Sequence, residues 1–597
     1  MASDDVKVDV SAQTATPEVG RQRPYTVVIV GDLGAAERLP NLTPADKDDF
    51  AAVLAKARPT LPLSVKDPIG SGPDWEFQIC FESMKTFEPA GLLAQIPAAR
   101  WRLGVREKVQ ARQTGQITAA ELEAALSSAA AADPGLAWLR HVGEAPPAPA
   151  SPSPAAPPAP AGANVLDMVD EPDAKSRVAA DVERLAAEAG RSEARLSSGE
   201  AGRLNAINNR LDRELGAIAD AVLKHPDVRR LETAWRSVKR LVDRFDFRAG
   251  VRLALLHARR DEAVDRFITH VVNPAFQGDI PTPGLIVFDF AMGNSAADFE
   301  LLDYLAQHAA SLPVPVAYPV DAQFFNVKNL RLMRNLPNLS GLIDGWEFAK
   351  WRTLREKPYA KALAPVLGRF ILRAPHEPRN GAREFTYKEN VSTIGDVVWA
   401  GGHVAMALCA ARAFAAHGWP TRMFGVEAGK IEDVPVVENP TDAQNPWGPG
   451  DLLLPDARLD EPPTVGLNIL HAIKGKDYCV LLGGVTAAKP VVTQEVSKNQ
   501  ALLEISLPYQ QFSNIVSAYL CEQMPALHGL PANDIQQRLL FGLASLLRVK
   551  PDDDPEAIQV GVGAHPDDAA RTVVQIRVAP PPRIAPGGLH IEFGFAV

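Results

Sequence analysis

A charge-free, proline-rich stretch divides this 597-residue chain into two unequal parts. Pro146 to Gly162 reads PPAPASPSPAAPPAPAG and contains no charged, aromatic or branched apolar residue. Because this composition buries too little apolar surface to offset the entropy of ordering it, we predict an extended linker. At about 3.1 Å per residue in polyproline II, the stretch spans roughly 50 Å. The parts on either side each have the length of a protein, so the sequence suggests two partner proteins made as one chain.

The chain is also longer than the chains that usually fold around a single hydrophobic core. We therefore predict four segments: a tail with a short strand at 1–22, a small domain at 23–144, the linker at 145–163 and a large domain at 164–597. The predicted fold class is α/β (mixed α+β), with terminal β-strands that are exchanged between copies.

Composition indicates a globular protein, with 46% hydrophobic and 22% charged residues. No apolar run approaches the roughly 18–20 residues that a membrane helix needs. The four cysteines lie far apart and form no CxxC pair, which favours buried thiols in a reducing compartment. A net charge of −10 argues against a general nucleic-acid binder. These features predict a cytoplasmic protein.

Strands and helices alternate along most of the chain. Residues 25–32 (YTVVIVGD) form a continuous apolar run that is typical of a buried strand. Thr43 and Pro44 are predicted to be the N-cap and first residue of a helix. Residues 61–67 and 75–83 are predicted to form a hairpin or two neighbouring strands. A helix at 203–224 precedes strands at 251–258 and 285–291. This order favours a mostly parallel sheet covered on both faces.

The two ends of the chain carry strictly alternating apolar residues. At the start these are Val6, Val8 and Val10, and at the end Leu589, Ile591, Phe593, Phe595 and Val597. Alternation is the pattern of a half-buried strand, although at the N-terminus a chance alternation in an unstructured tail fits equally well. An unpaired apolar strand invites association with other chains. We therefore predict that both segments pair with neighbouring copies by strand addition.

The first half resembles a known family. A VVIVGD strand, an acidic helix, an LPLSV strand and the series Phe81, Ser83, Phe87 and Pro89 follow in the order of the small subunit of the type VI secretion contractile sheath (TssB, also called VipA). Gly31 and Asp32 could begin a nucleotide loop, but the later glycines of GxGxxG and a P-loop Lys-Ser/Thr are missing.

The second half resembles the large sheath subunit (TssC, also called VipB). The most specific stretch is HPDVRRLETAWRSVKRLV at 225–242, followed by matching stretches at 289–309, 346–376, 397–419, 478–490 and 507–520. The tract after Trp419 departs from the glycine-rich pattern of the family, and residues 551–597 match only in pattern. Sheath subunits are usually separate chains, so the fusion is itself a departure.

No catalytic constellation emerges from the sequence. His403, Cys409 and His417 are spaced by six and eight residues, which does not align them as zinc ligands on one helical face. The arginines between 229 and 252 are interleaved with acidic residues, which indicates an ion-paired helix face rather than a nucleic-acid site. We predict no enzyme activity, no cofactor and no metal.

The resemblance implies a protomer that polymerises into a helical tube around an inner tube and ejects that tube by contraction. The alternative is a related phage-tail-like or non-contracting tube. The implied partners are further copies of the chain, an Hcp-like inner-tube protein, a baseplate and a ClpV-like AAA+ unfoldase, with no nucleic acid and no membrane insertion. An apolar island of Val165, Leu166, Met168 and Val169 occupies the place of the family's unfoldase handle. An ordinary helix start packed on its own domain explains the island equally well.

Overall fold

The computed structural model describes residues 23–35, 38–141, 197–378, 386–442, 444–494, 496–551, 555–565, 568–585 and 590–596. Its strands are β1 (Tyr25–Gly31), β2 (Thr43–Pro44), β3 (Thr60–Val65), β4 (Trp75–Cys80), β5 (Val251–His257), β6 (Leu285–Phe288), β7 (Val316–Val320), β8 (Leu363–Leu367), β9 (Arg369–Ile371), β10 (Trp399–Gly401), β11 (Lys430–Ile431), β12 (Asn468–Ala472), β13 (Cys479–Leu482), β14 (Ile558–His565), β15 (Asp568–Val578) and β16 (Ile591–Ala596).

Its α-helices are α1 (Phe50–Ala57), α2 (Pro89–Leu93), α3 (Pro97–Gln113), α4 (Ala119–Ala132), α5 (Ser198–Leu223), α6 (Pro226–Arg244), α7 (Ala263–Phe267), α8 (Asn273–Gln277), α9 (Ala296–Ser311), α10 (Leu339–Ile343), α11 (Ala349–Arg355), α12 (Gly402–His417), α13 (Glu461–Thr464), α14 (Lys498–Glu504), α15 (Leu507–Gln523) and α16 (Ala532–Leu547). A π-helical turn, Ile268–Val272, joins α7 to α8.

A nine-stranded sheet organises the fold, in the order β11-β13-β12-β8-β7-β6-β1-β5-β2. The six strands from β12 to β5 in this order are parallel to their neighbours, and antiparallel strands complete both edges. Two large apolar clusters lie on opposite faces of it, one around Val27 and Trp235 and the other around Val28 and Phe288. The prediction of a mostly parallel sheet covered on both faces is confirmed.

The nine-stranded sheet contains strands from both halves of the sequence. Strand β1 comes from the first half of the chain, yet it lies between β5 and β6 of the second half. It pairs with β5 from Tyr25–Val251 to Gly31–His257. On its other side it pairs with β6 from Val27–Leu285 to Val30–Phe288. The two halves therefore build one sheet and one pair of cores, although each half looked complete in the sequence.

Several local predictions can be compared with the structure. The strands predicted around residues 25–32, 251–258 and 285–291 are confirmed as β1, β5 and β6, and the predicted hairpin is the β3–β4 pair. The helix start predicted at Thr43 and Pro44 is wrong. These two residues form the edge strand β2 against β5, and the helix α1 begins only at Phe50. A Thr-Pro pair also suits an edge strand, because proline lacks the N–H that an interior strand must donate.

Candidate functional site

The surface between the two halves, which we call the seam, is the most elaborate polar feature of the structure. Its apolar centre is Trp235 of α6, which is fully buried and packs edge-to-face on Phe50 of the first half. The indole Nε1–H of Trp235 donates to the carbonyl of Leu33, 3.1 Å away, just after β1. Trp235 therefore fixes the loop that follows β1 to the second half.

A buried ion network crosses the seam beside Trp235. Glu232 of α6 is completely buried and accepts from Nε of Arg236 and Nε of Arg373, each at 2.6 Å. Arg373 also donates to Glu389 at 2.6 Å. Arg236 reaches Glu88 of the first half at 3.2 Å. The chain of contacts thus runs from the start of α2 through α6 into the segments that follow β9.

The network lowers the pKa values of Glu232 and Glu88, which favours their ionised forms. Burial alone would raise the pKa of Glu232, but the charges and hydrogen bonds of Arg373 and Arg236 outweigh it and lower that pKa. Burial also opposes the shift at Glu88, where His376, whose Nδ1 lies 3.1 Å away, and Arg236 together lower the pKa to about 2. Two arginines hold a carboxylate that would otherwise be costly to bury.

The helices on either side of the seam pack through a second cluster. Helices α3 and α4 of the first half bury Val105, Val109 and Leu126 against Leu204 and Leu211 of α5. This cluster is the apolar core of the contact between the first helices of the second half and the last helices of the first.

A fully buried arginine ties the same helices together. The guanidinium of Arg102 contacts Asp133 at 2.7 Å and Glu214 of α5 at 2.8 Å. Arg102, Val105, Val109 and Arg112 are the buried stripe of α3. The sequence showed this segment only as a charged helix, so Arg102 and the network around Glu232 were missed. The only available signal was the helical spacing of Arg102 and Arg112 with the two valines.

A separate three-stranded sheet, in the order β14-β15-β16, lies near the C-terminus and packs on α15 and α16. Strand β16 pairs antiparallel with β15 from Ile591–Val578 to Ala596–Val573. We expected no partner for this strand within its own domain, and that expectation is wrong because β15 supplies one. Strands β14 and β16 form the two outer edges of this sheet, and neither edge has a strand partner within the described residues.

The structure places only some of the residues predicted to mediate assembly. Ile591 is buried, and Phe593 and Phe595 are half-buried on the core side of the terminal sheet. The other predicted exchange and handle residues lie outside the described residues. They are Val6, Val8, Val10, Leu589, Val597, Val165, Leu166, Met168 and Val169.

The residues considered as zinc ligands are accounted for by packing and by a hydrogen bond between His403 and Asp289. His403 is buried, with Nε2 at 2.9 Å from Asp289, and Cys409 is fully buried in α12, where burial raises the pKa of its thiol to about 12. Within the described ranges, no group of three or more His, Cys, Asp or Glu side chains is arranged to hold a metal ion. None of the helices in those ranges is long and apolar enough to cross a membrane.

The fold and the seam define an α/β protein of composite type, in which two chain segments build one body. Comparison with known proteins identifies both segments. Residues 4–140 match the family model described as type VI secretion system, VipA, VC_A0107 or Hcp2. Residues 205–488 match the VipB model, described as EvpB/VC_A0108, tail sheath N-terminal domain. The chain therefore belongs to the type VI secretion sheath family, with its VipA and VipB domains fused in one polypeptide.

The chain is similar to several individual proteins, including a sequence relative and a solved structure. The type VI secretion system sheath protein TssC1 of Pseudomonas aeruginosa is 25% identical over an alignment of 388 residues, and the match covers 61% of this chain and 77% of that protein. The sheath tail protein of Listeria innocua, a crystal structure, matches with 12% identity and a TM-score of 0.30. That match covers 57% of this chain, which spans 60% of the Listeria protein.

Proposed function

We propose that this chain is the protomer of a contractile type VI secretion sheath, which polymerises as a helical tube around an inner tube and drives that tube out by contraction. The observation that carries the proposal is β1 of the VipA half, buried in the middle of the VipB sheet. One fused chain thus supplies the whole body that two sheath subunits supply in the family. Its role is structural rather than enzymatic.

Terminal strands link the protomers in this proposal. The alternating segments Val6–Val10 and Leu589–Val597 pair with neighbouring copies, and the open edges of the sheet formed by β14, β15 and β16 are where such strands add. In this structure β16 pairs with β15 of its own chain. In an exchanged arrangement β16 pairs instead with β15 of a neighbouring copy, at the same position in the sheet. Head-to-tail contacts that do not close generate a helical tube.

The energy for ejection is stored in the lattice. Two packings of the same protomers that differ in free energy suffice, so firing needs no chemical step in the sheath itself. The proposed partners are an Hcp-like inner-tube protein, a baseplate and a ClpV-like unfoldase that dismantles contracted sheaths, all acting in the cytoplasm.

Electron microscopy of the purified chain, with and without the inner-tube protein, tests this function. We expect long tubes, in an extended and a shorter, wider form. Tubes of a single length and diameter under every condition would instead indicate a non-contracting assembly. A uniform small species would contradict polymerisation altogether.

Truncation tests the role of the termini separately. Deletion of residues 1–12, or of the last nine residues from Leu589, should leave folded protein that forms no long tubes. Normal tubes from both truncated chains would rule out strand exchange through the ends.

The apolar island at 165–169 is proposed as the unfoldase handle. Because it lies inside the chain, the unfoldase would have to thread a loop or act through its side chains. Leu166→Asp combined with Met168→Asp should spare tube assembly and abolish pull-down of the cognate unfoldase. Unchanged pull-down would exclude this segment as the handle.

A further inference from the structure

A cavity of about 480 Å³ opens between the C-terminal parts of α6 and α12 and the edge strand β11. We call it the basic groove. Four cations line it (Arg240, Arg244, Arg412 and Lys430) against two carboxylates (Asp246 and Glu432), and its apolar lining is Leu408, Ala415, Ala416 and Ile431. A second cavity, of about 660 Å³, shares Arg244 and Asp246 with it and continues toward Asp46 and Asp48 of the first half.

The cations of the basic groove are only partly neutralised by this chain. Lys430 pairs with Glu432 at 2.8 Å, and Arg244 pairs with Asp433. Arg240 donates to the carbonyl of Glu432 at 2.6 Å, and Arg412 donates to the carbonyl of Ala428. Two guanidinium groups are therefore held by carbonyl oxygens, without a carboxylate hydrogen-bonded to them in the described parts of the chain.

Arg240 also carries an unsatisfied donor. Its Nε is buried without a hydrogen-bond partner in the described residues. Burial lowers the pKa of Arg240 and the charge of Arg244 lowers it further, while the nearby carboxylates of Asp433 and Asp243 partly offset these effects. A carboxylate that enters the groove would accept a hydrogen bond from this donor and add to the neutralisation that Asp433 and Asp243 provide in part.

Helix dipoles explain part of this arrangement but not all of it. Cations near the C-terminal end of a helix are stabilised by the carbonyls there, which accounts for Arg244 at the end of α6. The open cavity is not accounted for in this way. Its floor contains Ala415 and the exposed Ala416, small side chains that let an incoming backbone approach closely.

The chain contains a segment with the matching chemistry. Pro551 to Glu556 reads PDDDPE and joins α16 to β14. Asp552, Asp553 and Asp554 lie outside the described residues, and Glu556 is exposed. Six residues reach at most roughly 20 Å when extended, and Pro555 disfavours a helical conformation at the residue before it. The segment's four carboxyl groups in six residues complement the cations of the groove in charge.

We propose that the basic groove of one copy binds the acidic segment 551–556 of a second copy. This inference rests on the proposed function, since it is a contact between protomers. It joins two different patches, so it is head-to-tail and propagates along a helical lattice. Complementary charge at such a contact sets partner orientation and association rate, and it weakens with salt.

The first experiment measures the groove without any assembly. A fluorescein-labelled peptide of residues 549–558 is titrated with the full chain carrying Asp552→Asn, Asp553→Asn and Asp554→Asn, so that its own segment does not compete. We expect saturable binding that weakens at least tenfold with Arg412→Glu or Arg240→Glu, and also when 50 mM salt is raised to 300 mM. Arg213→Glu, at an exposed arginine of α5, should leave binding unchanged. No binding, or binding insensitive to both groove variants, overturns the proposal.

The second experiment tests whether the contact is between copies. In a chain with Cys80→Ser and Cys521→Ser, one population carries Ala416→Cys and the other carries Glu556→Cys, and the two are mixed before assembly. A bismaleimide cross-link between the populations supports the proposal. Cross-linking only when both cysteines are in one chain shows that the groove binds its own segment, and it overturns the contact between copies.

Charge reversal completes the test. Arg412→Glu, and separately Asp552→Lys with Asp553→Lys, should each reduce tube yield severalfold, and a chain carrying both changes should recover it. Normal tubes from both single-site chains overturn the proposal while leaving the function intact. A parent chain that binds the peptide but forms no tubes contradicts the proposed function and leaves the groove as an acidic-peptide site.

Discussion

Strands β1 and β16 are both short and apolar, yet the structure uses them in opposite ways. All of β1 except Thr26 is buried, and it has a parallel partner on each side. Only Ile591 is buried in β16, which has one strand partner among the described residues and an outer edge that none of them covers. A continuous apolar run suits burial on both faces, whereas an alternating run suits one face only. The first strand is thus committed to joining the halves, while the last retains backbone groups available to another chain.

The comparison predicts its largest effect at the centre of the sheet. Val28→Asp places a carboxylate at a position with no solvent exposure, between β5 and β6. The free energy needed to bury an unpaired charge exceeds the free energy of unfolding of a typical domain, which is roughly 5–15 kcal/mol. We expect no soluble folded chain, measured by soluble yield and circular dichroism. Phe595→Asp on β16 is the matched control and should remain folded; equal loss in both variants would contradict the distinction between the strands.

The next effect concerns the ion network of the seam. Glu232→Ala leaves Arg236 and Arg373 buried without their shared carboxylate, and breaking a buried pair in this way costs about 3–5 kcal/mol. Glu123→Ala removes an exposed partner of Arg203 across the same seam and should cost about 0–1 kcal/mol. Denaturant unfolding measures both. Similar losses of unfolding free energy in the two variants would show that the buried network stabilises the protein no more than the exposed pair does.

Much of the fold follows from local patterns, and the joining of the halves does not. The apolar runs at 25–31 and 285–288 are visible as buried strands, and the helix break at His225 and Pro226 is visible where α6 begins. That β1 pairs with β5 depends on residues more than two hundred positions apart, for which a single sequence carries no signal. Local periodicity indicates which face of a strand or helix is buried, but it does not indicate which other element packs on that face.

The seam shows the same limit at single residues. Trp235 and Arg236 belong to the stretch 225–242 that carries the resemblance most specifically, and both lie on the seam, in contact with Leu33 and Glu88 of the first half. The sequence predicts that Glu232 belongs to an ion-paired helix face, because acidic residues there are interleaved with arginines. Its burial follows from Arg373, which arrives from a distant segment. Long-range ion pairs of this kind give a charged helix defined partners in distant parts of the chain.

A pH series gives a smaller and more gradual effect. The pKa of Glu88 is lowered to about 2 from its ordinary value of 4.5. A carboxyl group whose pKa is lower in the folded state contributes stability that is complete above the unfolded pKa and is lost as the pH falls toward the folded one. The difference in unfolding free energy between parent and Glu88→Gln should therefore shrink between about pH 5 and pH 2. Glu107→Gln, at an exposed site on α3, is the control; a difference that is constant with pH would contradict the network's effect on Glu88.

The smallest effect on the native protein is expected from cutting the linker. With a protease site placed within residues 146–162, the two halves should still elute together, because β1 remains hydrogen-bonded to both β5 and β6 and Trp235 remains anchored to the first half. The effect of cleavage should be detectable only in the unfolding transition, whose midpoint becomes dependent on protein concentration. A tether provides an effective concentration of about 1 mM, so at about 1 µM protein the cut chain loses about 4 kcal/mol of apparent stability. Replacing the linker with Gly/Ser of the same length should change neither property. Separation of the halves on a column after cleavage would mean that the covalent link, rather than the central strand, holds the body together.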